Sequence, residues 1–472
     1  MPLSSHPPDH DTEKDNEKDI ETTTEAIAGV PVSEDAVRRG SVDPSVILKH
    51  AIDGDEALKA FANHQGPVVH IDEATNKRLL RKIDMNLMPI MCLVYGLNYL
   101  DKTTLSYASV MVKNFAGAVA VRFFLGVFEA AVTPGFALFT SQWYTKREQG
   151  LRVNIWFSFN GFAQIFGGLV AYGISKGTEN GRSSIAPWKI IFLLTGLLTV
   201  TMGIIFLWLM PDNQLNARFL SKEDRILAIE RVRENQQGIG NKHFKMYQVK
   251  EALTDPLMWA FVFFSLVGDI PNGGISNFFS LLVKSFGYTS QQSLLYATPG
   301  GAVEIVALIL SGYLGDRYRQ RLLVSSFGLL ISIVGVVMII AIPATTPTGR
   351  LVGYYMTNAA PTSFVALLSL IATNVAGYTK KTTFAALFLI GYCVGNIIGP
   401  QTFRGTDYVP AEITIVVCQG LCLLDLGFIW WWCRRENARK AALRAEPGYQ
   451  KIENQEWLDL TDRENIEFVY TL

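Results

Sequence analysis

The sequence predicts an all-α integral membrane protein built from two helical bundles. Three observations support this. Only 18% of the 472 residues are charged, against about 25% in soluble domains. Ten apolar runs are long enough to cross a hydrocarbon core of roughly 30 Å. A long hydrophilic stretch, residues 211–255, divides these runs into a group of four and a group of six.

The runs define five regions along the chain. We expect a largely disordered tail at 1–82, a bundle of four spans at 83–210, a central loop at 211–255, a bundle of six spans at 256–433 and a second tail at 434–472. The spans are predicted at 85–110, 114–142, 153–175, 188–210, 258–282, 293–315, 322–343, 351–375, 382–403 and 412–433. Basic clusters beside alternate span ends place both termini in the cytoplasm. Ser221 is predicted to cap an amphipathic helix in the central loop.

The composition argues against several function classes. A net charge of +0 gives no electrostatic footprint for nucleic acid. None of the six histidines lies within an apolar run, and the five cysteines lie in or beside such runs, so we expect neither metal ligands nor a disulfide framework. The chain has no Gly-Lys-Ser/Thr loop for ATP. No cofactor and no catalytic residue are predicted.

Residues 312–321, which read GYLGDRYRQR, join two of the apolar runs. A small residue lets two helices approach closely, an Asp caps a helix end, and arginines hold the loop on the cytoplasmic side. This loop resembles the cytoplasmic signature of the major facilitator superfamily at Gly312, Leu314, Asp316, Arg317 and Arg321. Arg319 stands where that family usually has glycine. We therefore interpret Gly312, Asp316, Arg317 and Arg321 as a gating motif.

The resemblance narrows to fungal allantoate-permease-like proteins of the anion:cation symporter family. Residues 96–111 look like the first helix of those proteins, and residues 115–146 look like the fourth. The family's second and third helices would lie between Met111 and Asn114, so this chain shows ten spans, four plus six, instead of twelve. Our hypothesis is a splice variant or an exon lost in gene prediction. The alternative is a genuine protein of ten spans.

Ionisable residues within the first two runs are candidates for function, because charge is costly inside a membrane. Asp101 and Lys102 lie on the first run. Arg122, Gly126 and Glu129 recur at i, i+4 and i+7 on one face of the second. The family resemblance implies that Lys102 and Arg122 hold a substrate carboxylate and that Asp101 and Glu129 carry the proton. The alternative for Arg122 and Glu129 is an internal ion pair that stabilises the bundle.

Buried amides supply further predicted substrate contacts: Asn160, Gln164, Asn272, Asn277 and Asn396. Close helix packing at neighbouring glycines is the alternative for the first two. Residues 271–274, which read PNGG, are expected to interrupt the fifth span and free backbone groups that line a cavity. Asp269 and Glu304 also lie near mid-membrane, without an assigned partner.

The resemblance implies proton-coupled uptake of a small organic anion by alternating access. The expected substrates are carboxylates such as allantoate, ureido acids, nicotinate, pantothenate, biotin or short peptides. The expected partners are this anion, a proton and membrane lipid, with the chain acting as a monomer in the plasma membrane. The alternative is a truncated form that binds or regulates without transporting. A membrane enzyme has no nucleophile–base or metal constellation to support it.

Overall fold

The computed structural model describes residues 71–104, 115–178, 187–235, 244–343, 345–402, 409–447, 449 and 459–472. Most of the predicted N-terminal tail and the junction between Met111 and Asn114 lie outside these residues. The side chains of Lys102 and Arg122 are also outside the described part of the chain.

Fifteen α-helices and no strand occur in the described residues. They are α1 (Glu73–Thr104), α2 (Phe115–Glu129), α3 (Val132–Trp143), α4 (Lys146–Phe157), α5 (Phe159–Thr178), α6 (Pro187–Leu209), α7 (Lys222–Val232), α8 (Met246–Leu253), α9 (Pro256–Ser285), α10 (Ser290–Tyr318), α11 (Arg321–Ala341), α12 (Pro347–Thr357), α13 (Pro361–Asn374), α14 (Tyr378–Thr402) and α15 (Val409–Arg444). The all-α prediction is confirmed.

Every predicted span has a helical counterpart, although three are divided by a short break. These three correspond to α2 and α3, α4 and α5, and α12 and α13. Within the described residues, eight stretches are long and apolar enough to cross a membrane. Neither α1 nor α5 is among those eight stretches.

The predicted interruption of the fifth span is wrong, because α9 continues through Pro271. Helix α14 packs tightly along this part of α9 through glycines. A Cβ added at Gly395 would lie 2.3 Å from the carbonyl oxygen of Leu266, and one added at Gly399 would lie 2.2 Å from that of Ile270. Proline is tolerated within a membrane helix that packs against neighbouring helices.

The helices form two groups, which we call the N half (α1–α6) and the C half (α9–α15). Helix α10 of the C half packs against α4 and α5 of the N half, and α13 packs against α3 and α4. Between the halves, the rings of Phe157 and Phe364 lie 6.0 Å apart. One apolar core therefore extends through both halves.

The central segment is docked against the N half by polar contacts. The side chain of Ser221 accepts a hydrogen bond from the backbone N–H of Asp224 at 3.1 Å, which confirms the predicted helix cap. The buried guanidinium of Arg231 on α7 donates to the backbone carbonyl of Trp143 at 3.3 Å. Hydrogen bonds from Lys82 hold the pKa of Asp224 below its usual range.

Candidate functional site

A cavity of about 450 Å³ lies between the two halves, near the middle of the helices. Helices α1 to α5 line one side of it, and helices α9 to α15 line the other. Tyr95 and Tyr99 face it from α1, and Tyr392 faces it from α14. A site made by both halves changes shape whenever the halves move relative to each other.

Three of the predicted site residues line this cavity. Glu129 and Asn160 lie on the N-half wall, and Asn272 lies on the C-half wall. Gly126, on the same face of α2 as Glu129, lines it as well. The hydroxyl of Tyr95 lies 3.4 Å from the hydroxyl oxygen of Thr133, which joins α1 to α3 at the edge of the cavity. The i, i+3 spacing read from the sequence thus places Gly126 and Glu129 on one cavity wall.

The other predicted residues lie beside the cavity. The carboxylate of Asp101 accepts a hydrogen bond from the hydroxyl of Thr199 on α6 at 2.7 Å. The amide of Asn277 donates to the backbone carbonyl of Gly273 at 2.7 Å. Gln164 is half-buried on α5, outside the residues that line the cavity.

Asn396 supports the cavity wall indirectly. Its amide oxygen accepts from Asn272 at 3.3 Å, and its amide nitrogen donates to the backbone carbonyl of Tyr392 at 2.9 Å. Asn272 also donates to Asp269 at 3.2 Å. These bonds connect α9 to α14 and fix the orientation of an amide and a carboxylate on the C-half wall.

The charge on the described lining residues is of one sign. Glu129, Asp269 and Glu304 line the cavity, and the lining residues that the structure describes include no Lys, Arg or His. From the sequence, Asp269 and Glu304 have no assigned partner, and no local signal distinguishes the tyrosines. No group of three His, Cys, Asp or Glu residues in the described ranges has a metal-site arrangement.

The gating motif lies at one end of the bundles, which we call the motif end. Asp316 accepts a hydrogen bond from the backbone N–H of Leu151 at 2.7 Å, and Arg321 donates to Asp316 at 2.7 Å. Arg321 also donates to the backbone carbonyl of Lys146. Arg317 is exposed. Asp316 and Arg321, both from the C half, therefore bind the backbone where α4 begins in the N half.

Two glycines allow this close approach. A Cβ added at Gly150 would lie 2.3 Å from Oδ1 of Asp316, and one added at Gly312 would lie 2.8 Å from the Cβ of Asn154. The prediction that Gly312 permits close packing is thereby confirmed. Gly150 was not singled out from the sequence, because its partner is distant along the chain.

Residues 459–472, which we call the C-terminal segment, cover the motif end. Asn374 and Thr471 exchange two hydrogen bonds of 2.8 and 2.7 Å. The backbone N–H of Arg321 donates to the main-chain oxygen of Leu472 at 2.6 Å. The ammonium of Lys146 lies 3.8 Å from the ring centroid of Phe468. The C-terminal segment thus contacts both halves beside the gating motif.

A buried charge cluster anchors this segment to the C half. The ammonium of Lys380 is fully buried and lies 2.8 Å from Asp462, 2.9 Å from Glu251 and 3.0 Å from Asp255. Burial alone would raise the pKa of Asp462. The charge and hydrogen bond of Lys380 and the hydroxyl of Tyr470 outweigh this effect, so the pKa of Asp462 lies below its usual range. From the sequence, residues 434–472 are predicted only as a tail, since nothing local marks Asp462 as the partner of Lys380.

Comparisons with known proteins agree with this architecture. A family profile described as Major Facilitator Superfamily matches residues 103–400, more than half of the chain. The chain belongs to the Major Facilitator Superfamily. It is therefore an integral, multi-pass membrane protein and a transporter, not an enzyme.

Similar members of the superfamily come from yeasts. An uncharacterised transporter of Schizosaccharomyces pombe is 37% identical over 85% of this chain and 91% of its own length. The allantoate permease of Saccharomyces cerevisiae is 31% identical over 97% and 98%. A thiamine pathway transporter of the same yeast is 28% identical over 83% and 86%. Among solved structures, the fucose:proton symporter of E. coli aligns with a TM-score of 0.49 and 12% identity, over 74% of this chain and 86% of that chain.

Proposed function

We propose that this facilitator takes up a small organic anion together with protons, by alternating access across the plasma membrane. The observation that carries the proposal is the cavity of about 450 Å³ between two halves joined by separable polar contacts at the motif end. A rocking transporter needs a central site between two bodies and contacts that can break at one face. Asp316 and Arg321 supply such contacts.

The proposal includes an orientation. Basic residues 317, 319 and 321 lie at the motif end, beside the N-terminal end of α4 with Lys146 and Arg147. By the positive-inside rule this end faces the cytoplasm. The structure then corresponds to a state whose cytoplasmic side is closed. The chain functions as a monomer in this proposal, because the cavity is built from its own helices.

Each predicted site residue has a role in this cycle. Lys102 and Arg122 hold the substrate anion, and Asp101 and Glu129 bind protons. Polar contacts to the rest of the substrate come from the amides that line the two walls, Asn160 and Asn272. Gln164, Asn277 and Asn396 lie beside the cavity and support these walls. The similarity to the yeast allantoate permease supports a carboxylate substrate and makes allantoate the first probe.

Reconstituted vesicles test this function. The purified chain is placed in liposomes with an inward proton gradient, and uptake of labelled allantoate is measured with and without an uncoupler. We expect accumulation that the uncoupler abolishes. Glu129→Gln should keep exchange of allantoate without a gradient but lose accumulation, whereas the exposed control Glu446→Gln should behave like wild type. Accumulation that survives the uncoupler or Glu129→Gln would contradict the proton coupling.

A second candidate function is a short form that binds substrate or regulates longer copies without transporting. The alignment with the allantoate permease favours it. It runs over 536 positions, 64 more than the 472 residues of this chain, so at least 64 positions of that protein face no residue here. Two helices and their connection need about that length at roughly 20 residues per span.

Sequencing the messenger RNA across the codons for Tyr107 to Gly117 separates the two candidates. A longer in-frame product would identify this chain as a short form of a transporter with twelve spans. If only the short product occurs and the purified chain accumulates allantoate, the non-transporting form is rejected.

A further inference from the structure

Glu304 occupies an unusual position among the acidic residues of this chain. It lies in the middle of α10, is 6% exposed and lines the central cavity from the C half. Asp316, on the same helix, is paired with Arg321, and Asp269 accepts a hydrogen bond from Asn272. Within the described residues, no cation or hydrogen-bond donor lies at bonding distance from the carboxylate of Glu304. The chain thus holds a buried acid at its central cavity that neither the gating motif nor the predicted proton carriers use.

The described residues around Glu304 supply no positive charge. Tyr95 and Tyr99 on α1 and Tyr392 on α14 line the same cavity, and Tyr354 on α12 is close enough to interact with Glu304 electrostatically. The acids Glu129 on α2 and Asp269 on α9 also line it. An unpaired carboxylate in such a site is costly, and binding a proton removes that cost.

Glu304 also lies beside the contact between the halves. A Cβ added at Gly301 would lie 2.5 Å from the carbonyl oxygen of Gly161, so the backbones of α10 and α5 touch there. Residues three apart in a helix share a face, and Glu304 is therefore one turn from this crossing. A relative movement of α5 and α10 changes the access of water to Glu304.

We propose that Glu304 is a further proton-binding residue of the transport cycle, placed on the C half; this inference rests on the proposed proton-coupled transport. When the cavity is hydrated on one side, a hydronium ion gives its proton to a carboxylate oxygen of Glu304, an O–H bond forms, and water remains. The neutral acid is stable while the cavity is closed. When the cavity opens on the other side, water takes the proton and the carboxylate returns.

Infrared spectroscopy tests the proton-binding step without any substrate. Spectra of the purified full chain in lipid nanodiscs are recorded through a pH titration for wild type, Glu304→Gln and the exposed control Glu446→Gln. We expect a component of the C=O stretching region, from a buried carboxylic acid, that titrates in wild type and in the control and is missing in Glu304→Gln, while the component of Glu129 remains. Glu304→Asp should keep a titrating band at a shifted frequency, which keeps the test valid if the glutamine variant does not assemble. A band that titrates unchanged in Glu304→Gln, or no such band in wild type, overturns the proposal.

Transport of labelled allantoate supplies the second measurement. In the vesicles described above, Glu304→Gln should retain exchange without a gradient and lose accumulation driven by an inward proton gradient. Accumulation equal to wild type overturns the role of Glu304 in coupling. The two proposals fail in different ways. If the infrared band depends on Glu304 but the chain transports no allantoate, the transport function is rejected and the proton site is kept. If the chain accumulates allantoate but the band does not depend on Glu304, the proton site is rejected and the transport function is kept.

Discussion

The two halves of the molecule use the same kind of helix with very different degrees of packing. Within residues 123–143 and 189–209 of the N half, 17% and 6% of the most apolar 18-residue stretch are buried. The corresponding fractions for the spans of the C half run from 33% to 72%. Large apolar side chains of the N half, such as Phe128 and Leu207, are 77% and 84% exposed. The N half therefore presents helix faces that no described helix covers.

Two glycines on α3 and α6 lack the close contacts found at the crossing of α11 and α12. A Cβ added at Gly335 on α11 would lie 2.5 Å from the carbonyl oxygen of Gly353 on α12, so this residue makes a helix crossing possible. At Gly135 on α3 and Gly203 on α6, an added Cβ would meet no atom within 4 Å. Both glycines line an apolar groove formed by α1, α3 and α6. This difference supports the hypothesis that the N half lacks helices, because small residues otherwise mark helix contacts in membranes.

The largest effect is expected at the buried charge cluster of the C half. Lys380→Met removes the buried cation shared by three acidic residues, of which Asp255 keeps a second partner in Arg463, and should cost about 3–5 kcal/mol of unfolding free energy. Arg152→Met in the N half should cost less, because its partner Asp84 is one-third exposed. Thermal unfolding in detergent measures both, with the exposed Lys250→Met as control. If both substitutions lower the unfolding free energy equally, the buried charges of the C half contribute no more stability than those of the N half.

A glycine pair tests the packing contrast directly. Gly335→Val should destabilise the chain by about 1–3 kcal/mol, because the side chain has no space at the crossing with α12. Gly203→Val faces open space and should change the unfolding temperature little. If Gly203→Val is as harmful as Gly335→Val, a helix covers α6, and the incomplete N half is contradicted.

A pH titration sharpens the role of the C-terminal segment. The pKa of Asp462 is below its usual range in the folded chain. Its ion pair therefore contributes stability above the unfolded pKa of about 3.9, and this contribution is lost as the pH falls through the folded pKa. Asp462→Asn should lower the unfolding temperature at pH 7 and narrow the difference from wild type in acid. A difference that does not depend on pH would exclude Asp462 as the titrating partner of Lys380.

The smallest effect on stability is expected at Arg319. Among the non-glycine residues in the described ranges, only Arg319 has a positive φ, of 55°. It ends α10 in the left-handed conformation, at the position where the family signature usually has glycine. Arg319→Gly should relieve about 1 kcal/mol of backbone strain, visible as a higher unfolding temperature. Arg319→Ala, which keeps the Cβ, is the control and should give no gain.

Several parts of this structure follow from local sequence. The helical class, the position of most spans, the cap at Ser221 and the approach at Gly312 were predicted correctly, because each depends on hydropathy or on neighbouring residues. Pro271 was misread, since the packing of α14 against α9 cannot be seen in the local sequence. The lining of the cavity by Tyr95 and Tyr99 was missed for the same reason.

By itself, the sequence determined which segments are helical and apolar, which residues carry charge within them, and which loop carries the superfamily signature. Only the tertiary structure decided that Glu129, Asp269 and Glu304 share one cavity and that Asp462 reaches Lys380. The physical reason is distance along the chain. Hydropathy and helix periodicity act over a few turns, whereas these acids lie on helices that meet only when the two halves pack together.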